Sequence, residues 1–175
     1  MFVADVSGSM DGARIHSLKE SLLNSMQYIG DDSEIGLVSY NDSVTVELPI
    51  GKFEGVHRGK FQSAVKSLTV GGGTHTYSGV LAALDMIREH KKQSGIDANY
   101  LIFVLSDGAT NGGVSENIAA QLIVSYSIPV HTIGYSSEAD MSSLKRLASY
   151  TEGFSVQVDE ENVIYNMKNM FNSQM

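Results

Sequence analysis

Two hydrophobic patterns alternate along the chain. Short apolar runs, and short stretches in which apolar and polar residues alternate, predict strands. Six such strands are expected, at about 2–5, 34–40, 44–48, 100–105, 129–133 and 154–158. Between them, apolar residues recur at every third or fourth position, which predicts helices, with a last helix at about 160–171. Strands that alternate with helices indicate an α/β fold with a mostly parallel sheet and helices on both faces.

The sequence also predicts where helices begin and which side chains they bury. Asp11 and Ser115 are residue types that cap helix N-termini, and we expect them to begin the first and fourth helices. The first helix should end at Gly30. The inward side chains of the fourth helix are expected to be Ile118, Leu122 and Ile123. The final helix should pack through Val163, Ile164, Met167, Met170 and Phe171.

Polar residues gather in three stretches beside glycine. Residues 5–10 read Asp-Val-Ser-Gly-Ser-Met, 71–76 read Gly-Gly-Gly-Thr-His-Thr, and 105–108 read Leu-Ser-Asp-Gly. Side chains two residues apart on an extended strand are about 6.6 Å apart, whereas two oxygens bound to one Mg²⁺ are at most about 4.2 Å apart. The chain must therefore curl after the first strand if its oxygens share an ion, and Gly8 has the backbone freedom for that turn.

These three stretches, in this order, resemble the metal ion-dependent adhesion site of bacterial-type von Willebrand factor type A domains, and the resemblance covers essentially the whole chain. The positions that match the family's five coordinating residues are Asp5, Ser7, Ser9, Thr74 and Asp107. The resemblance implies a module for adhesion or protein interaction that binds a Glu or Asp of a protein partner through the metal. In integrin inserted domains, which the chain also resembles, the metal loops and the final helix move together.

Two carboxylates and three hydroxyls form a donor set that contains only oxygen. Such a set suits Mg²⁺ or Mn²⁺ better than zinc, and Ca²⁺ is less favoured. If Asp5 and Asp107 share the ion, the first and fourth strands must be neighbours, and the six-stranded sheet takes the order 3-2-1-4-5-6 with strand 3 antiparallel at the edge. The site then lies at the switch point outside the carboxyl ends of the strands, where doubly wound sheets bind ligands.

Length and composition indicate the number of domains and disfavour some classes of partner. A length of 175 residues predicts one domain, 1–175, and the early start of its first strand suggests that it is excised from a longer protein. Twelve basic against twenty acidic residues give a net charge of -8, which opposes binding to nucleic acid or to an anionic membrane. No apolar run approaches the roughly 20 residues that span a bilayer. The absence of cysteine excludes a disulfide framework and does not fix the compartment.

A phosphoryl-transfer enzyme fits the sequence less well than a binding module. A haloacid dehalogenase-like phosphatase needs an aspartate where this chain has Ser7, and a response regulator needs a lysine that residues 131–136 do not offer. Neither a Gly-x-x-x-x-Gly-Lys phosphate loop nor a Gly-x-Ser-x-Gly elbow is present. We therefore predict that the chain is not an enzyme. The alternative to adhesion is a scaffold subunit of a larger complex, for example beside an ATPase, with a structural metal.

Four side chains next to the predicted ligands are expected at the rim of the site, namely Met10, His75, Thr110 and Asn111. For His75 the alternative is a solvated loop position, and for Thr110 and Asn111 it is an ordinary turn. His131 lies within a strand, where packing or a hydrogen bond is the expected role.

Overall fold

A computed structural model of the chain describes residues 1–95, 98–108 and 110–159, together with 162, 165, 166 and 169. The strands are β1 (Phe2–Asp5), β2 (Glu34–Tyr40), β3 (Val44–Lys52), β4 (Ile102–Ser106), β5 (Val130–Tyr135) and β6 (Ser155–Val158). The helices are α1 (Ala13–Ser25), α2 (Gly55–Ser67), α3 (Thr76–Ser94), α4 (Glu116–Tyr126) and α5 (Met141–Ser149). The apolar residues assigned above to the final helix lie outside the described residues, so that helix stays a prediction.

The six strands form one sheet in the order β3-β2-β1-β4-β5-β6. β3 runs antiparallel to β2, and the other neighbours are parallel. The predicted fold class and strand order are therefore confirmed. β1 lies between β2 and β4, so Asp5 and Ser106 end neighbouring strands at the same edge of the sheet. This edge is the switch point of the doubly wound topology.

Both faces of the central strands are buried. Along β1, Phe2 and Ala4 face the layer that contains α1 and α2, while Val3 faces the layer that contains α3 and α4. Aromatic rings connect the first layer, since the Phe2 ring lies 5.7 Å from that of Phe61 and 5.8 Å from that of Phe103. This packing on two sides fixes the end of β1. No helix among the described residues is long and apolar enough to cross a membrane.

The start of α1 differs from the prediction. Gly12, at a φ of 78°, holds the N-cap position. The Asp11 carboxylate accepts a hydrogen bond from the Gly12 N–H at 2.9 Å and does not cap the helix. α1 also ends earlier than predicted, at Ser25 rather than Gly30. A 3-10 turn at Gly8–Met10 follows β1 and delays the helix, which the apolar pattern alone does not reveal.

The inward face of α4 was predicted only in part. Ile123 is buried as expected, but Ile118 is 58% exposed and Leu122 is 43% exposed. Ala119 is the other buried residue of this helix. Residues four apart share a helix face, so the buried stripe runs through Ala119 and Ile123. Because α4 carries apolar residues on several faces, its large apolar side chains did not predict which face is buried.

Candidate metal centre

The loop after β1 brings the first three predicted ligands together. Asp5 Oδ1 accepts a hydrogen bond from the Ser7 N–H at 2.9 Å, which folds the chain back on itself. The 3-10 turn that follows places Ser7 Oγ and Ser9 Oγ 3.1 Å apart. An extended strand would hold such side chains about 6.6 Å apart. The predicted curl is therefore present, with its two hydroxyls close enough to serve one ion.

Asp5 is fully buried and makes several hydrogen bonds. Its Oδ2 accepts hydrogen bonds from Ser106 Oγ at 2.6 Å and from the Tyr40 hydroxyl at 3.2 Å. Burial raises the pKa of Asp5, hydrogen bonds from Ser106 and Ser7 oppose that rise, and the nearby charge of Asp107 adds to it. Asp5 thus connects the ends of β1, β2 and β4.

The glycine loop docks against the loop after β1 through its backbone. The Gly8 N–H donates to Gly72 O at 3.0 Å, and the Gly71 N–H donates to Val6 O at 2.9 Å. At Gly72 the φ is 77° and an added Cβ would lie 2.3 Å from an oxygen of Asp42, so any other residue would be strained there and Asp42 would have to move. These contacts bring the glycine loop, which carries the buried Thr74, against the loop that carries Ser7 and Ser9.

Two predicted rim residues hold Thr74 in place. Asn111 Oδ1 accepts a hydrogen bond from the Thr74 N–H at 2.7 Å. Thr74 O in turn accepts hydrogen bonds from Thr110 Oγ1 and from the Asn111 N–H, both at 2.9 Å. Thr110 and Asn111 therefore join the loop after β4 to the glycine loop.

The other two predicted rim residues, Met10 and His75, differ in burial. Met10 has no exposed surface and packs in the core, so its placement at the rim was wrong. The 3-10 turn directs its side chain inward. His75 is partly exposed, and its Nε2 lies 3.9 Å from Asp42 Oδ1.

Asp107, directly after β4, has one carboxylate oxygen that is paired and one that is not. Its Oδ2 lies 3.2 Å from Arg14 Nη1. Its Oδ1 is buried and has no hydrogen-bond partner among the described residues. The main chain is fixed on both sides, since the Asp140 N–H donates to Asp107 O at 2.8 Å and the Gly108 N–H donates to Ser106 Oγ at 2.9 Å.

The donor set can be tested against a metal. In the described part of the chain, no three His, Cys, Asp or Glu side chains converge where they could hold an ion. A metal here would therefore depend on hydroxyl oxygens as well as on Asp5 and Asp107. Buried polar atoms without a partner are rare in proteins. The unpaired Asp107 Oδ1 beside this loop cluster fits a hard cation, for which carboxylate and hydroxyl oxygens are suitable ligands.

Three contributors to the site were not predicted as such. Tyr40 and Ser106 donate to Asp5 from neighbouring strands, which only the strand register reveals. Arg14 contacts Asp107 from the first turn of α1. A signal for Arg14 was available, because cations are disfavoured at helix N-termini unless another interaction holds them.

The chain is a doubly wound α/β domain, and its carboxylates and hydroxyls gather at the switch point, where such sheets bind ligands. The sequence model of the von Willebrand factor type A domain matches residues 1–172. The chain therefore belongs to the von Willebrand factor type A domain family. Domains of this family generally mediate protein–protein interaction or adhesion, are typically non-enzymatic, and generally bind a divalent metal where they carry the adhesion site.

Individual relatives and solved structures match this chain at low sequence identity. Inter-alpha-trypsin inhibitor heavy chain H3 of Homo sapiens is 24% identical over 169 residues, which cover 91% of this chain and 19% of that protein. A von Willebrand factor type A structure from Catenulispora acidiphila has a TM-score of 0.87 at 18% identity and covers 97% of this chain and 41% of that one. Mussel byssus proximal thread matrix protein 1, with zinc in its adhesion motif, has a TM-score of 0.74 at 17% identity over 99% of this chain and 44% of that one. The chain thus spans about a fifth of the inhibitor heavy chain.

Proposed function

We propose that the chain is a divalent-metal-dependent protein-binding domain. Its metal centre would be a metal ion-dependent adhesion site formed by Asp5, Ser7, Ser9, Thr74 and Asp107. The observation that carries this proposal is the buried, unpaired Oδ1 of Asp107. A buried carboxylate oxygen that lacks a donor is costly, and a cation bound there would remove that cost. The paired hydroxyls of Ser7 and Ser9 add donors from the neighbouring loop.

Mg²⁺ or Mn²⁺ is the ion that these residues suit best, and Ca²⁺ is less favoured. All five proposed ligands offer oxygen, and none is a histidine or a thiolate, which zinc prefers. The zinc in the mussel protein is a property of that protein. We therefore keep Mg²⁺ or Mn²⁺ as the proposal for this chain.

An acidic group of a protein partner is the proposed ligand. Two carboxylates balance the charge of a divalent ion, and five protein groups leave one octahedral position for an outside ligand. The bound ion would supply an electrophilic anchor for an Asp or Glu carboxylate at that position. The chain's own residues hold the loops in place, chiefly through the hydrogen bonds at Asp5 and Thr74. The net charge of -8 makes nucleic acid an unsuitable partner.

Metal binding can be tested without a partner. Isothermal titration of the metal-free protein with MgCl₂ or MnCl₂ should show saturable binding to one site. At a metal concentration 100 times the Kd, binding should stabilise the fold by about 2.7 kcal/mol. For a chain of this size, that corresponds to a rise in Tm of roughly 5–10 °C.

Asp107→Ala should abolish both the heat of binding and the thermal shift. The matched control is Asp85→Ala, which removes an exposed carboxylate on α3 and should leave both unchanged. Absence of heat and of thermal shift in the unaltered protein at millimolar metal would contradict the proposed function.

A further inference from the structure

Arg14 connects three loops at the edge of the proposed metal centre. Its Nη1 lies 2.9 Å from Ser9 O and 3.2 Å from Asp107 Oδ2. Its Nη2 lies 2.8 Å from Glu138 Oε2, in the loop between β5 and α5. The Arg14 side chain is 26% exposed, whereas that of Glu138 is 81% exposed. One guanidinium is therefore shared between a buried carboxylate of the centre and a solvated carboxylate outside it.

The stability of α1 does not explain this position. Arg14 lies in the first turn of the helix, where the helix dipole favours anions and disfavours cations. No acidic residue occupies that turn. The side-chain contacts of Arg14 given above all point away from its own helix, toward the proposed centre and Glu138.

An ion bound at the centre would have to share Asp107 with Arg14. The buried Oδ1 has no hydrogen-bond donor among the described residues that an ion would have to displace, while Oδ2 already lies next to the guanidinium. Two cations would then lie on opposite oxygens of one carboxylate, and they repel each other. Because Arg14 is mostly shielded from solvent, screening by water and salt would reduce this repulsion only in part.

We propose that Arg14 is a built-in competing cation that lowers the affinity of the centre for its divalent ion. Glu138 moderates the competition, because it neutralises the outer edge of the guanidinium and gives it an anchor when Asp107 engages the ion. This inference rests on the proposed function. A purely positioning role for Arg14, in which it only orients Asp107, predicts the opposite sign, since its removal would then weaken metal binding.

Calorimetric titration with MgCl₂ alone, repeated with MnCl₂, distinguishes the two roles. Arg14→Gln should bind the ion about tenfold more tightly than the unaltered protein, and Glu138→Gln should bind it about threefold more weakly. The double variant that combines Arg14→Gln with Glu138→Gln should bind the ion about as tightly as Arg14→Gln alone, because Glu138 acts through Arg14. Arg14→Lys keeps the positive charge and should stay close to the unaltered affinity.

Matched controls separate this local effect from a general change in charge. Arg88→Gln and Glu89→Gln make the same substitutions on the exposed surface of α3 and should leave the affinity unchanged. Circular dichroism and Tm in EDTA should show that each variant folds. Should Arg14→Gln fail to fold, Glu138→Gln still tests the proposal, because the Glu138 side chain is largely exposed and unchanged or tighter metal binding by that variant would overturn the proposal.

The possible failures can be told apart. Unchanged or weaker binding by a folded Arg14→Gln, with normal binding by the unaltered protein, would overturn the competition and leave the metal centre standing. Equal loss of affinity from Glu138→Gln with and without Arg14 would show that Glu138 acts directly, and would overturn its role here. No binding by any form would overturn the proposed function itself, and with it this inference.

Discussion

The two carboxylates of the proposed centre lie at the ends of neighbouring strands, yet their surroundings differ. Asp5 accepts hydrogen bonds from Ser7, Tyr40 and Ser106, so both its oxygens are used within the protein. Asp107 has one oxygen without a partner in the described part of the chain and one beside Arg14. Asp5 therefore supports the loops before any ligand arrives, whereas Asp107 has an oxygen left for one.

His131 is a third buried group, and its unpaired atom lies in an apolar setting. His131 Nε2 also lacks a partner among the described residues, but its ring lies between those of Phe103 and Phe154, at 5.3 and 4.1 Å. Burial lowers the pKa of His131 to about 4. A neutral imidazole is tolerated there, because it packs against these rings and its Nδ1 accepts a hydrogen bond from the Phe154 N–H at 3.2 Å, so both expected roles are present. The Asp107 carboxylate can become neutral only by binding a proton, and the cation beside it, Arg14, contacts only one of its two oxygens.

The largest expected effect concerns the stability of the metal-free protein. Asp5→Ala should reduce the free energy of unfolding by about 2–4 kcal/mol, because it leaves the donors of Tyr40, Ser106 and Ser7 without their acceptor. Asp107→Ala should change it by less than about 1 kcal/mol, since loss of the ion pair with the partly exposed Arg14 is offset by removal of a buried carboxylate oxygen that has no donor among the described residues. Urea denaturation in EDTA provides the measurement.

Both substitutions should abolish metal binding, so only the free energies of unfolding in EDTA distinguish the roles of the two carboxylates. Equal destabilisation by the two variants would show that the carboxylates are equivalent supports, contrary to their hydrogen bonding.

The next effect concerns His131 and pH. Because its pKa is lowered to about 4 in the folded protein, from 6.5, the unfolded chain binds more protons between these values. Stability should therefore fall as the pH is lowered from about 6.5 to 4, with up to about 3 kcal/mol of that loss due to His131. His131→Phe should flatten the pH dependence in this range, as measured by urea denaturation at several pH values.

His16→Gln is the control for this experiment. His16 is exposed on α1, and its replacement should leave the slope with pH as in the unaltered protein. A slope that survives in His131→Phe would assign the pH dependence to other groups and weaken the comparison with Asp107.

The sequence predicted the architecture and part of the site. The separation of Asp5 from its serines on a straight strand required a curl, and that curl is present at Ser7 and Ser9. A shared ion required β1 beside β4, and the sheet confirms that order. Metal ligation by the five residues stays a prediction.

Other features depend on distant parts of the chain. Tyr40 and Ser106 reach Asp5 only because β2 and β4 flank β1 in a particular register. Met10 is buried because a 3-10 turn, invisible in the apolar pattern, rotates it inward. On α4 several faces are apolar, so packing with α3 decided which one is buried. Local patterns carry no information on these pairings.

The smallest expected effect concerns the way in which Thr74 is held. Thr74→Ala should weaken metal binding by less than either carboxylate change, because a neutral hydroxyl contributes less to a divalent ion than a charged oxygen does.

Asn111→Ala keeps that hydroxyl but removes the acceptor 2.7 Å from the Thr74 N–H, so it should lower the affinity a few-fold and cost about 1 kcal/mol of stability. Thr110→Ala should do less, because Thr74 O keeps its bond from the Asn111 N–H. Calorimetric titration and urea denaturation of the three variants measure both quantities. If Thr110→Ala weakened binding more than Asn111→Ala, the Thr110 hydroxyl would have a role at the ion beyond holding the loop.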